Sequence, residues 1–134
     1  MFDIPLHPFI VHFPITLAVF AFGYDGWAIY AKRPQKHKLG YGLSLWAAVF
    51  AAAAAVTGLQ LSRLGDIGKG AITGHALYGI SAAIVLSAFA LWRYSVRARQ
   101  TTTAESYSIM WVLIQAVGAV LIIIAALTGH RLLQ

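Results

Sequence analysis

Four stretches of this chain run for more than twenty residues without a lysine or an arginine: Phe9 to Ala31, Leu39 to Leu61, Ala71 to Trp92 and Tyr107 to Gly129. They are 23, 23, 22 and 23 residues long. At a helical rise of about 1.5 Å per residue each spans about 33 to 35 Å, enough to cross a hydrocarbon core of about 30 Å with a little tilt. Composition closes off the soluble alternative. Lys, Arg, Asp and Glu make up 10% of the 134 residues and the hydrophobic fraction is 60%, against about 25% charged residues in soluble chains. Such a chain cannot cover a globular surface with polar groups. The expected fold is all-α: an up-down-up-down four-helix membrane bundle, one domain over residues 1–134, with helices near 8–31, 39–62, 71–94 and 106–130.

The net charge of +6 reflects topology and not nucleic-acid binding. Lys32, Arg33, Lys36 and Lys38 fall in the first connection and Arg93, Arg97 and Arg99 follow the third helix, against Arg63, Lys69 and Arg131 on the opposite side. The positive-inside rule then puts the first and third connections in the cytoplasm and both termini in the periplasm. Trp27, Tyr30, Tyr41, Trp92, Tyr94, Tyr107 and Trp111 form an aromatic belt at the cytoplasmic ends. The basic rim also favours anionic headgroups, so membrane lipids are expected partners. Residues 1–8 carry no Lys or Arg and no small-residue cleavage site follows the first apolar run, so the first helix is expected to be retained.

Cysteine is absent, which removes disulfides, thiolate metal sites, iron–sulfur ligation and cysteine nucleophiles together. No phosphate loop, paired acids or nucleophile-base arrangement marks a hydrolase or transferase. What remains is a set of imidazoles. Of five histidines, His37 sits in a basic cytoplasmic run, while His7, His12, His75 and His130 all fall at the periplasmic ends of helices. Counted inward from the span limits, His12 and His75 lie about 5 to 7 Å deep and His7 and His130 lie at the boundary. In a bundle that packs in sequence order, helices one and three are diagonal, which makes His12 and His75 the favoured facing pair.

Ionisable groups inside a membrane usually face the bundle interior and mark function. Imidazoles without Cys or clustered acids suit axial ligation of a b-type haem, with His12 and His75 as first choice and a second haem held by His7 and His130 as an open option. Small residues near that level, Ala51 to Ala55 and Gly58 on helix two and Ala76, Gly79, Ser81, Ala82 and Ala83 on helix three, leave space for a cofactor or simply for close helix packing. Arg63 and Arg131 are placed to meet propionates or to anchor at the interface. The alternative is a copper, zinc or iron site built by His7, His12, His75 and His130 with Asp66. A third reading is a non-catalytic assembly subunit whose histidines bind nothing. Asp25, in the inner half of helix one, finds its simplest partner in Arg93, and Gln115 and Thr57 are expected to bond between helices.

The opening His7-Pro8-Phe9-Ile10-Val11-His12-Phe13-Pro14-Ile15 resembles the N-terminal signature of a bacterial membrane family, domain of unknown function 2231. The likeness extends to Asp25 late in helix one, Gly65-Asp66 in the second connection and His75 opening helix three; Thr128-Gly129-His130 departs from the paired glycines usual at the end of helix four. The resemblance implies four membrane helices and a bacterial inner-membrane location. Some relatives are joined to a Rieske-type iron–sulfur domain, which implies electron transfer. The expected partners are then a quinone, a cytochrome or a Rieske-type protein, with self-association left open.

Overall fold

The computed structural model describes residues 6–32, 37–64, 69–99 and 109–130. Four helices account for them: α1 (Leu6–Tyr30), α2 (His37–Leu64), α3 (Lys69–Arg99) and α4 (Ile109–His130). Each contains a stretch long and apolar enough to cross a membrane, at His7–Tyr30, Lys38–Gln60, Gly74–Val96 and Ile109–Gly129. α1 packs on α2 and α4, and α3 packs on the same two helices. Thus α1 and α3 lie on one diagonal of a four-helix bundle and α2 and α4 on the other. The protein is a multi-pass membrane protein.

Sequence explains the packing through one repeated spacing. Buried positions alternate in steps of three and four: Pro14, Ala18, Ala21, Asp25 and Ala28 on α1; Gly40, Ser44, Ala47, Ala51 and Ala54 on α2. On α3 the series is Ala82, Leu86, Phe89 and Arg93, and on α4 Trp111, Gln115, Gly118, Ile122 and Ala125. A seven-residue repeat keeps one stripe facing the partner helices and winds them into a left-handed bundle. Most inward residues are alanine, which lets backbones approach where apolar burial gives no driving force in lipid. Large side chains face outward instead, as with Leu77, Ile84 and Leu91 on α3 and Leu113, Val120 and Leu127 on α4. At the Leu86 level, Gly118 supplies the clearance: a Cβ there would stand 2.7 Å from Leu86 Cδ2.

α3 is longer than expected and sits differently along the bundle axis. Its membrane stretch begins at Gly74 and runs to Val96, whereas treating Arg93 as a loop residue places the span at 71–92. Arg93 is buried, so it leaves the basic rim, and the basic residues counted there fall from seven to six. The reason is its partner, since an ion pair with Asp25 satisfies the guanidinium inside the bundle and draws α3 about one turn further in.

A candidate di-imidazole site

Followed toward the other end of the bundle, the four inward stripes arrive at His7, Gly58, His75 and Gly129. Eighteen residues separate His7 from Asp25, Gly40 from Gly58, His75 from Arg93 and Trp111 from Gly129. Eighteen residues are five helical turns, or about 27 Å. The bundle therefore carries two polar layers, one near each end, with an alanine-rich core between them.

In the first layer His7 and His75 meet across the α1–α3 diagonal. Their ring centroids are 5.9 Å apart and the rings are nearly perpendicular, at 84°. His75 Nδ1 lies 2.7 Å from the Ala125 carbonyl oxygen of α4. A carbonyl only accepts, so Nδ1 carries the proton and Nε2 keeps its lone pair. His7 Nδ1 lies 3.1 Å from Thr57 Oγ1 of α2. The Thr57 hydroxyl has one proton, and it is directed to the Ala53 and Ala54 carbonyls at 3.0 and 3.1 Å. Its oxygen is then the acceptor, and His7 takes the same tautomer as His75. Both imidazoles are hydrogen-bonded through Nδ1, and His7 has a further backbone partner at Ala54; a proton on Nδ1 leaves Nε2 as the atom that could take a metal.

The two helices that carry no histidine of the pair contribute glycines at this level. A Cβ on Gly58 would come within 2.9 Å of His7 Cε1, and one on Gly129 within 2.7 Å of His75 Cε1. Only a bare backbone lets the rings sit so close to α2 and α4.

The remaining candidates fall elsewhere. His12 is exposed on α1 and bonds its own helix, with Nδ1 2.6 Å from the Pro8 carbonyl oxygen. The expected His12–His75 pair is thus replaced by His7–His75. Five residues turn a helix by about 500°, which leaves His7 and His12 about 140° apart, so only one of them can face the bundle centre. Beside His12, Phe13 stacks on Phe50 of α2 at 4.9 Å and helps fix α1 in that rotation. Of Arg63 and His130 only the backbone is described, at the ends of α2 and α4. Asp66 and Arg131 lie outside the described residues.

The second layer takes one polar residue from each helix. Arg93 Nη1 donates to Asp25 Oδ2 at 2.6 Å and to Ser44 Oγ at 3.0 Å. Gln115 Nε2 donates to the same hydroxyl at 2.7 Å, and Ser44 passes its own proton to the Gly40 carbonyl at 2.8 Å. All four side chains are buried. The guanidinium is collared by the rings of Trp111, Phe89 and Tyr41, at 5.0, 5.6 and 5.9 Å from their centroids, where ring faces attract a cation. Asp25 leans on Gly40, since a Cβ at that position would overlap its carboxylate. Sequence reasoning reached the Asp25–Arg93 pair but not Ser44 or the aromatic collar.

Two imidazoles that share one metal ion through Nε2, each about 2.0 to 2.1 Å from it, have ring centres about 5 Å apart at a tetrahedral angle and about 6.3 Å apart when opposed. The observed 5.9 Å lies between these two values. A family model described as "Predicted membrane protein (DUF2231)" matches residues 3–133. The chain belongs to the DUF2231 family. That description names no activity, so function must be argued from the geometry of this DUF2231 chain. Comparison with curated proteins and with solved structures gave no match.

Proposed function

We propose that this DUF2231 protein is a membrane-bound b-type haem protein that transfers electrons, with His7 and His75 as its axial ligands. The observation that carries the proposal is the pair of diagonal imidazoles whose rings meet in the bundle, each hydrogen-bonded through Nδ1. A bound haem would supply reversible one-electron chemistry at that level. The protein's own part is to hold both rings in one tautomer, to keep two flanking backbones bare at Gly58 and Gly129, and to keep the surroundings apolar with Ala54 and Ala125.

Two imidazoles are the ligands the described residues bring together, and they suffice for a macrocycle that contributes its own four nitrogens. A bare copper, zinc or iron ion needs further donors. These would have to come from His130 or Asp66, which makes the small-ion site the second reading. One haem per chain follows from the proposal, because His7 is used in the first pair. The charge asymmetry of the connections supports a periplasmic position for this end. An electron partner there, a quinone, a cytochrome or a Rieske-type protein, is part of the same proposal.

Visible spectra of the purified protein, oxidised and then reduced, test it. Sharp bands that appear on reduction are expected from iron held by two imidazoles. Colourless protein that gains no such bands when haem is supplied would overturn the proposal, and stoichiometric copper or zinc in that protein would favour the second reading.

A further inference from the structure

The layer around Asp25 joins its two diagonals through one oxygen. Ser44 Oγ accepts from Arg93 Nη1 at 3.0 Å and from Gln115 Nε2 at 2.7 Å, and gives its own proton to the Gly40 carbonyl. With both lone pairs and its proton engaged, this hydroxyl has nothing left to offer. Gln115 and Arg93 do. Gln115 Oε1 is buried and accepts no hydrogen bond among the described residues. Turning the amide over moves the deficit without removing it, because Oε1 would then face a hydroxyl whose proton is given to Gly40, and the Nε2 protons would be stranded. On Arg93, the hydrogen bonds to Asp25 and Ser44 both leave from Nη1, and a guanidinium carries further N–H groups on Nε and Nη2.

Buried donors and acceptors are nearly always paired, with protein or with water. We infer that this layer binds a water molecule, which accepts a hydrogen bond from a guanidinium N–H of Arg93 and donates one to Gln115 Oε1. The inference is independent of what His7 and His75 hold. Chemistry and size select the ligand. One neighbour donates and the other accepts, so the ligand must do both. The guanidinium disfavours a cation, and an anion would meet the amide oxygen beside an arginine that Asp25 already neutralises at 2.6 Å. Arg93 and Gln115 are 3% and 2% exposed, and the rings of Trp111, Phe89 and Tyr41 surround the guanidinium, so a lipid hydroxyl is too large to be enclosed with them. Entry is short. Ser44 is the eighth residue of α2 and Gln115 the seventh of α4, which sets the layer about two turns inside the bundle end. The water returns to the ion pair part of the hydration lost on burial, which the alanine core beyond it does not supply.

A density map of the full-length protein in lipid, at a resolution of about 2 Å where ordered water is visible, tests this. A single-atom peak is expected about 2.7 to 3.2 Å from both Gln115 Oε1 and an Arg93 nitrogen. Gln115→Met, which keeps the length of the side chain and removes its acceptor, should lose the peak while the Asp25–Arg93 contact remains. Proton-detected spectra of nitrogen-15-labelled wild type in bilayers give a second readout that needs no variant. Magnetisation from water should reach the side-chain N–H groups of Arg93 and Gln115 before the backbone amides of Ala47 and Ala119 in the alanine core. No peak in wild type, a side chain or lipid headgroup bonded to Gln115 Oε1 in its place, a peak that survives in Gln115→Met, or core amides that receive the magnetisation as early as the layer would overturn the inference.

Discussion

His7 and His75 approach edge to face across the α1–α3 diagonal, 5.9 Å between ring centroids, and eighteen residues further along the same two helices Asp25 and Arg93 close the same diagonal with a 2.6 Å ion pair. The second contact sets the first. By fixing how far α3 is drawn into the bundle, the pair decides which histidine of α1 stands level with His75. One layer is the buried ion-pair network, and the other, 27 Å away by helical rise (about 1.5 Å per residue), is the imidazole pair.

Removing one partner of the buried pair should therefore be costly. Asp25→Ala or Arg93→Ala is expected to destabilise the protein by about 3 to 5 kcal/mol, because each leaves a charge uncompensated away from water. The double substitution Asp25→Leu with Arg93→Met should cost less than either single change. Gly40→Ala should act through Asp25, by overlap with the carboxylate, and lose most of its effect in an Asp25→Ala background. Unfolding in detergent, followed by circular dichroism, measures all four.

How much of this was legible in the sequence depends on which residues carried it. Four spans free of Lys and Arg gave the helix count and the bundle, and depth alone matched Asp25 to Arg93. The histidine pairing was not reached, for two physical reasons. Depth counted from the Lys- and Arg-free span at 71–92, with Arg93 in the basic rim, sets His75 about one turn too deep and makes His12 look level with it. Rotation was also left out, although a signal was present: His7 lies seven residues before Pro14, on the stripe that continues through Ala18, Ala21 and Asp25, and His12 does not. Ser44 carried no such signal, since a serine in a membrane helix commonly bonds its own backbone, as this one also does.

Clearance at the imidazole layer gives a second prediction. Gly129→Val should push the His75 ring off the Ala125 carbonyl, and Gly58→Val should displace His7 from Thr57. Each is expected to weaken haem affinity by at least about tenfold, the effect of losing about 1.4 kcal/mol, in a haem titration, while α-helical circular dichroism is retained. Unchanged affinity in Gly129→Val would show that the glycines have no part in the site.

Orientation is tested by fusion. A reporter enzyme that works only in the periplasm is expected to be active after Gln134 and silent near Gln35, because an excess of basic residues in the first and third connections favours the cytoplasm for those segments. The reverse pattern would place the di-imidazole layer at the cytoplasmic face and redirect the search for its electron partner.

The central claim is that His7 and His75, and not His12, form the ligand pair. Reduced-minus-oxidised spectra of His7→Ala, His75→Ala and His12→Ala, recorded beside wild type at matched protein concentration, test it most directly. The account predicts the wild-type bis-imidazole spectrum in His12→Ala and its loss in both other variants. An unchanged bis-imidazole spectrum in His7→Ala, together with its loss in His12→Ala, would contradict the account.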